Sequence, residues 1–170
     1  RIGQGIAKRA LGFGMNVIYH NRSHLSDADE KACGAKYVSK EELLRTADHV
    51  VLVLPYTAQS HHTIGAQEIA LMKPTATLIN IARGGIVDDA ALAQALKEKK
   101  IFAAGLDVFE GEPSVHPELL KLSNVVLAPH IASATEKTRR AMVDLAIENL
   151  RAALDGKKPP SLINAEVFKA

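Results

Sequence analysis

The sequence predicts an α/β protein built on a doubly wound parallel sheet. Short apolar runs rich in Val, Ile and Leu alternate along the chain with stretches of helical pattern. The runs lack strict alternation of apolar and polar residues, which is typical of strands buried on both faces of a parallel sheet. A chain of 170 residues is long enough to bury one such core. We therefore expect one compact α/β unit.

The order of elements follows from these patterns and from local helix signals. Strands are predicted at residues 16–19, 50–54, 77–81, 103–108 and 125–128. Helices are predicted at residues 4–12, 27–33, 40–47, 66–71, 89–99 and 136–155. Ser39 and Ser133 each precede a Glu by three residues, which is the spacing of a capping box, and Asp88 can cap the helix that follows it. Gly156 is expected to end the last helix.

The composition argues against several classes of protein. The net charge is only +2, and aromatic residues make up 4% of the chain, so we expect no nucleic-acid partner. No apolar run approaches the roughly 20 residues that a membrane span requires. The single Cys33 cannot form an internal disulfide, which suits a reducing compartment. We expect a cytoplasmic protein without a membrane partner, and no residue is assigned as a metal ligand.

The first seven residues, Arg-Ile-Gly-Gln-Gly-Ile-Ala, resemble the second half of a Rossmann fingerprint. Gly3 would be its third glycine, which lets the helix pack close to the sheet and point its free N–H groups at a pyrophosphate. We expect Arg1, Ile2 and Gly3 to bind the cofactor. The first strand and the first two glycines are absent, so an upstream segment is expected to be missing.

The end of the predicted strand at residues 16–19 indicates which dinucleotide is bound. It lies about 16 to 20 residues after the fingerprint, where a Rossmann fold meets the adenosine ribose. An NAD-specific protein usually has Asp or Glu there, whereas this chain has His20, Asn21, Arg22 and Ser23. Arg22 can make a charge-assisted contact with a 2′-phosphate, and Asn21 and Ser23 add donors. These residues favour NADP, with NAD as the alternative.

Polar residues follow three of the predicted strands. Arg83 follows the strand at 77–81. Asp107 and Glu112 follow residues 103–105, the apolar start of the strand predicted at 103–108. His130 follows the last predicted strand. Because the carboxyl ends of parallel strands open onto one edge of a sheet, one cleft can collect all four residues.

The segments around these residues resemble the D-isomer-specific 2-hydroxyacid dehydrogenases. The motifs are Asn-Ile-Ala-Arg-Gly-Gly at 80–85, Leu-Asp-Val-Phe-Glu-Gly-Glu-Pro at 106–113, Pro-His-Ile-Ala-Ser at 129–133 and Leu-Pro-Tyr-Thr at 54–57. Their order and spacing match across essentially the entire chain, closest to the glyoxylate/hydroxypyruvate reductase (2-ketogluconate reductase) branch. Ala132 is a departure, since relatives often have Gly beside the nicotinamide.

The resemblance implies a catalytic role for three residues. Arg83 would bind the carboxylate of a 2-keto acid and polarise its carbonyl group. His130 would protonate the carbonyl oxygen, and Glu112 would orient the imidazole and favour its charged form. Asp107 would contact the nicotinamide carboxamide, and Arg83 and His130 would also lie against the cofactor. The other positions implied to contact the cofactor are Leu54, Pro55, Thr57, Ile81, Ala82 and Ala132.

The resemblance also implies how the chain is divided and what it does. Residues 1–135 would form the dinucleotide-binding domain, 136–155 a long interdomain helix, and 156–170 a tail that returns towards a missing substrate domain. The expected activity is NAD(P)H-dependent reduction of glyoxylate, hydroxypyruvate or 2-ketogluconate to the D-2-hydroxy acid, in a homodimer. The alternatives are a phosphoglycerate or D-lactate dehydrogenase and a non-enzymatic, dinucleotide-binding corepressor.

Overall fold

The protein, seen in a computed structural model that describes residues 2–168, forms two compact units, one up to Pro129 and one from His130 onward. The helices are α1 (Ile2–Gly12), α2 (Asp27–Cys33), α3 (Lys40–Thr46), α4 (Ala66–Leu71), α5 (Asp89–Lys97) and α6 (Glu136–Leu154). The strands are β1 (Val17–Tyr19), β2 (Ala35–Tyr37), β3 (His49–Leu52), β4 (Thr77–Asn80), β5 (Ala103–Leu106) and β6 (Val125–Leu127). Short 3₁₀ turns occupy Leu119–Lys121 and Ala165–Val167.

All strand pairs in the first unit are parallel, as the sequence predicts. They form a two-stranded sheet, β1-β2, and a four-stranded sheet, β3-β4-β5-β6. In a doubly wound sheet of order 3-2-1-4-5-6, a central strand separates the pair 3-2 from the group 4-5-6. The two-stranded sheet corresponds to the first flank, and the four-stranded sheet corresponds to the second flank with one additional strand. Strand β2 was not predicted from the sequence.

Local capping signals are correct for two helices and wrong for the third. The hydroxyl of Ser39 accepts a hydrogen bond from the Glu42 backbone N–H, and a carboxylate oxygen of Asp88 accepts one from Ala91. Helix α6 is capped by Thr135, whose side chain accepts from the Thr138 N–H. The expected Ser133 capping box is therefore wrong, because the helix begins two residues later than that box requires.

The core of the first unit lies on one face of the four-stranded sheet. It joins side chains of α3, α4 and α5 to the strands, and includes Leu44, Val50, Ile69, Leu78, Leu92 and Ala104. Burial alternates along β3, where Val50 and Leu52 are buried while His49 and Val51 are exposed. Val126 in β6 is 72% exposed. The expectation of strands buried on both faces is therefore wrong for β3 and β6, since the helices of this core pack on one side.

The smaller sheet has a separate core. Cys33 at the end of α2 packs with Ala7 of α1 and Ala35 of β2. Helix α2 begins at Ser26, which accepts from the Asp29 N–H, and ends at Gly34 with a left-handed φ of 61°. These contacts hold β1 and β2 side by side, so that the loop after β1 emerges at the carboxyl edge of this sheet.

The second unit consists of α6 and the segment after it. The side chain of Asn149 accepts a hydrogen bond from the Ser161 N–H (2.9 Å) and donates one to the Ser161 hydroxyl (3.2 Å). These bonds fold the tail back on the helix. Within the described residues no side chain of α6 is buried, and apolar residues such as Val143 and Leu150 are exposed. Among residues 2–168, no helix is both long enough and apolar enough to cross a bilayer.

Candidate active site

The loops after β4 and β5 meet at the carboxyl edge of the four-stranded sheet. The two strands are neighbours and parallel, and the Asp107 backbone N–H donates to the carbonyl of Asn80 at 3.0 Å. The structure therefore brings the predicted residues Arg83 and Asp107 to the same edge. Asp107 is buried, whereas the Arg83 side chain is exposed.

Asn80 fixes the backbone that carries Arg83. The Asn80 side chain is 1% exposed; its oxygen accepts from the Ala82 N–H (3.1 Å) and its amide donates to the Arg83 carbonyl (3.1 Å). The guanidinium of Arg83 donates to the Ala82 carbonyl at 2.6 Å. Asn80 is therefore a positioning residue that was not predicted from the sequence. A polar side chain at the end of a buried apolar strand, three residues before Arg83, is the signal that could have identified it.

Gly84 allows the loop after β4 to touch the loop after β5. A Cβ atom at Gly84 would lie 1.8 Å from the carbonyl oxygen of Phe109 and 2.3 Å from its carbon. Both atoms belong to the backbone, so no rotamer change can relieve the overlap. Glycine is required here because the two loops approach so closely. Gly84 belongs to the motif at 80–85, but the sequence of that motif does not reveal this contact.

Two carboxylates hold the loop after β5. Glu112 Oε1 accepts from the Phe109 N–H, and Asp89 Oδ2, at the start of α5, accepts from the Glu110 N–H, both at 2.9 Å. Asp89 is only 3% exposed. Burial raises the pKa of its carboxyl group, although the hydrogen bond from Glu110 opposes this shift. Asp89 is a second positioning residue that sequence reasoning missed, because its partner lies 21 residues away.

Replacing Asp89 with Asn should change how stability depends on pH. A carboxyl group with a raised pKa stabilises the fold fully below its unfolded pKa of about 3.9, and that contribution is lost as the pH rises through the folded value. Asn cannot ionise, so the variant does not lose this contribution. The free energy of unfolding of Asp89→Asn minus that of the wild type should therefore be higher near pH 7 than near pH 4. Urea unfolding at the two pH values measures this difference.

Asp48→Asn is the matched control for this experiment. The hydrogen bond and charge of Lys73 lower the pKa of the exposed Asp48 carboxyl group, so the pH dependence of this variant should have the opposite sign. If the free energy of unfolding of Asp89→Asn differs from that of the wild type by the same amount at both pH values, burial does not raise the pKa of the Asp89 carboxyl group.

The turn after β3 carries further predicted cofactor contacts. The buried hydroxyl of Ser60 accepts from the Thr57 N–H (2.7 Å) and donates to the Pro55 carbonyl (2.9 Å). These bonds fix the turn at the same edge as the loop after β4. Leu54 and Thr57 are half-buried, as is Ile81, whereas Ala82 is buried and Pro55 is exposed. Their contacts with a cofactor remain predictions.

The predicted ribose-binding residues lie after β1. The Asn21 carbonyl accepts from the Tyr37 hydroxyl at 3.4 Å, and His20 Nδ1 lies 3.0 Å from the Val38 carbonyl oxygen. Arg22 and Ser23 are exposed at this edge of the smaller sheet. The structure thus presents the guanidinium of Arg22 to the solvent at the place where the sequence predicts a phosphate partner.

The start of α1 supports only part of the fingerprint prediction. Ile2 and Gly3 lie in the first helical turn, where backbone N–H groups have no intrahelical acceptor. Within residues 2–168 nothing lies within 4 Å of a Cβ atom built at Gly3, so close packing on a strand does not explain this glycine in the described part of the chain. Arg1, the third residue assigned to this turn, lies outside the described residues.

The remaining predicted residues begin the second unit. His130 has a left-handed φ of 53°, which is uncommon for a residue other than glycine. Such backbone conformations cluster at functional sites. His130 and Ala132 are both exposed. The acid–base pair of Glu112 and His130 remains a prediction.

Comparison with known proteins identifies the family. The D-isomer specific 2-hydroxyacid dehydrogenase NAD binding domain matches residues 1–132. A glyoxylate reductase of Thermococcus onnurineus (strain NA1) is 52% identical over 168 residues, which cover 99% of this chain and 50% of that protein. The crystal structure of a glyoxylate reductase from Paecilomyes thermophila has a TM-score of 0.87 and 42% identity, with 97% of this chain and 50% of that chain covered.

A second crystal structure includes ligands. It is an NADPH-dependent glyoxylate/hydroxypyruvate reductase from Sinorhizobium meliloti in complex with NADP and malonate, with a TM-score of 0.82 and 39% identity. The alignment covers 89% of this chain and 46% of that one. The chain spans about half the length of the curated relatives it matches. The parallel strands, the flanking helices and these matches show that the chain belongs to the D-isomer specific 2-hydroxyacid dehydrogenase family of oxidoreductases and corresponds to its Rossmann-like NAD-binding domain.

Proposed function

We propose that the protein carrying this chain uses NADPH to reduce small 2-keto acids, with glyoxylate, hydroxypyruvate or 2-ketogluconate as substrate. The observation that carries this proposal is the exposed guanidinium of Arg83, whose backbone Asn80 fixes at the carboxyl edge of the sheet. A planar guanidinium binds a carboxylate by two parallel hydrogen bonds. The glyoxylate reductases among the relatives, and the malonate in one related structure, support a carboxylate ligand.

In this proposal each polar residue has a separate task. Arg83 binds the substrate carboxylate and polarises the neighbouring carbonyl group. His130 donates a proton to the carbonyl oxygen, while Glu112 orients the imidazole and favours its charged form. Asp107 contacts the carboxamide of the nicotinamide. The bound nicotinamide supplies the hydride.

The residues present fit a dinucleotide. The first turn of α1 offers free N–H groups for a pyrophosphate, and exposed donors surround the end of β1. We propose NADP in preference to NAD, because Arg22 stands where an NAD-specific protein has a carboxylate. The relative from Sinorhizobium meliloti is NADPH-dependent, which supports this choice.

Replacing Arg22 with Asp should weaken NADPH binding and leave NADH binding almost unchanged. The change removes a charge-assisted contact worth about 1.5–3 kcal/mol and adds a repelling carboxylate, so we expect the Kd for NADPH to rise by at least about 10-fold. Fluorescence titration with each cofactor measures this effect. Arg45→Asp is the control, since it makes the same charge change on α3. An unchanged preference for NADPH would remove Arg22 from the phosphate site.

Glu112→Gln should shift the pH profile of the reaction. Reduction needs the imidazolium form of His130, which a neighbouring carboxylate favours. Loss of that charge should move the alkaline limit of keto-acid reduction to lower pH, while the limit for Glu118→Gln should stay at the wild-type value. The dependence of kcat/KM on pH measures the shift. If both variants keep the wild-type profile, Glu112 does not act on the proton donor.

A spectrophotometric screen tests the proposed reaction directly. The native protein is mixed with NADPH or NADH and a panel of 2-keto acids that includes glyoxylate, hydroxypyruvate, 2-ketogluconate, pyruvate and phosphohydroxypyruvate. We expect the fastest oxidation of NADPH with one of the first three acids. Preference for pyruvate or phosphohydroxypyruvate would instead indicate a D-lactate or phosphoglycerate dehydrogenase. Cofactor binding without turnover of any acid would favour a corepressor.

The organisation of the complete protein is part of the same proposal. Residues 1–135 would bind the dinucleotide, the helix at 136–155 would connect two domains, and residues 156–170 would return towards a substrate domain. We propose a homodimer in the cytoplasm, on the basis of the family resemblance.

A further inference from the structure

Two adjacent histidines and a glutamate come together beside the predicted substrate loops. They are His61 and His62, in the turn after β3, and Glu110, in the loop after β5, and we call them the His–Glu cluster. One ligand atom from each residue lies within 4.8 Å of the others. No residue was predicted from the sequence to bind a metal, and Glu110 lies 48 residues from His62 along the chain.

The local backbone directs both imidazoles to the same side. His62 has a left-handed φ of 47°, an uncommon conformation for histidine. The two rings stack with their centroids 3.8 Å apart, whereas neighbouring side chains of an extended chain point in opposite directions. The His62 N–H donates to the Gly85 carbonyl at 2.7 Å, which fixes this conformation against the loop after β4.

Neighbouring groups orient each ring. The Tyr56 hydroxyl lies 3.1 Å from His61 Nδ1, so Nε2 is the His61 nitrogen that this contact leaves for an ion. His62 Nε2 lies 2.9 Å from Glu110 Oε1, and Asp88 Oδ2 lies 3.9 Å from the other ring nitrogen of His62. At 3.9 Å the Asp88 carboxylate is too far from His62 for a hydrogen bond, but its negative charge favours a cation bound beside this ring.

We propose that the His–Glu cluster binds Zn²⁺ through two imidazole nitrogens and one carboxylate oxygen, with water as the fourth ligand. Three protein ligands and one water are a common tetrahedral environment for zinc. Mg²⁺ and Ca²⁺ prefer sites made of oxygen atoms, so two imidazoles select against them. The ion replaces the proton that His62 and Glu110 otherwise share. His61 and Glu110 are exposed, which gives an ion access from the solvent.

The ion would link three loops at the carboxyl edge of the sheet. His61 and His62 belong to the turn that also contains Thr57, and His62 is hydrogen-bonded to the loop of Gly85. Glu110 lies two residues before Glu112, in the loop held by Asp89. Zinc at the His–Glu cluster would therefore restrain the segments that carry the proposed substrate and cofactor residues. The ion itself would bind neither the substrate nor the cofactor.

Calorimetric titration of the chelator-treated native protein with Zn²⁺ tests the proposal. We expect saturable uptake of one ion per chain that excess Mg²⁺ does not prevent. His62→Asn, which tolerates a left-handed φ, and Glu110→Gln should each weaken binding by more than about 10-fold. Asp88→Asn removes a nearby negative charge and can still cap α5 through its side-chain oxygen, so it should weaken zinc binding less than these two variants do. His49→Gln, which removes an exposed histidine outside the cluster, should bind zinc like the wild type.

A measurement on the wild-type protein keeps the test independent of how well the variants fold. Paramagnetic Co²⁺ should shift or broaden the imidazole resonances of His61 and His62 at lower concentrations than those of His24 and His49. Absence of saturable one-to-one zinc uptake overturns the proposal. So does zinc affinity at the wild-type level in the folded Glu110→Gln and His62→Asn variants, or equal broadening of all four histidines.

Discussion

Gly84→Ala should destabilise the protein by about 3 kcal/mol or more. Overpacking usually costs about 1–3 kcal/mol, and here the new methyl group would lie 1.8 Å from the backbone oxygen of Phe109. Relief requires the loop after β4 or the loop after β5 to move. Because these loops carry Arg83 and Glu112, we also expect a lower kcat/KM in the protein that remains folded. Urea unfolding measures the free energy change, and steady-state kinetics measure the loss of activity.

Gly5→Ala is the matched control for this substitution. Among residues 2–168, the nearest atom that a Cβ at Gly5 would meet beyond its own helical backbone is the end of the Arg9 side chain, at 3.6 Å. Ala is favoured over Gly in a helix by about 1 kcal/mol, so this variant should be as stable as the wild type or more stable. If Gly84→Ala unfolds at the same urea concentration as Gly5→Ala, the two loops do not require glycine at their contact.

The sequence predicted the elements whose signals are local. Helices α2 to α6 all start where expected, and the cap at Asp88 depends only on atoms three residues apart. The strands of the four-stranded sheet were predicted because each is a short apolar run. Strand β2 has three residues and contains Lys36, so its composition did not distinguish it from a loop. Burial on one face of β3 depends on where the helices pack, which the apolar pattern does not encode.

The sequence predicted which residues follow the strands but not what holds them. Arg83 and Asp107 were assigned because strand ends share one edge in a parallel sheet. Asn80 and Asp89 act through hydrogen bonds whose geometry exists only in the fold. The contact of Gly84 with Phe109 joins positions 25 residues apart, and the His–Glu cluster joins positions still further apart. Such long-range contacts cannot be predicted from spacing along one sequence.

Arg83→Lys should reduce kcat/KM for 2-keto acids by about 10- to 150-fold. Lysine keeps the positive charge but loses the planar fork, and one charge-assisted hydrogen bond is worth about 1.5–3 kcal/mol. The Michaelis constant should rise because the carboxylate is held less well, and turnover should fall because the carbonyl loses alignment. Steady-state kinetics measure both effects. NADPH affinity, measured separately by fluorescence, should change little, since the pyrophosphate is expected at the start of α1.

His130→Asn separates carboxylate binding from proton donation and completes the test of Arg83. Asn tolerates the left-handed φ of 53° that this position adopts but cannot donate the proton as an imidazolium does. We expect turnover to fall by about 10²- to 10⁴-fold with a smaller change in the Michaelis constant, because proton donation acts in the transition state. Arg45→Lys, on α3, should keep wild-type kinetics and serves as the control. If Arg83→Lys also keeps wild-type kinetics on every acid, Arg83 does not bind the substrate carboxylate, and the proposed 2-keto acid reductase loses the observation on which it rests.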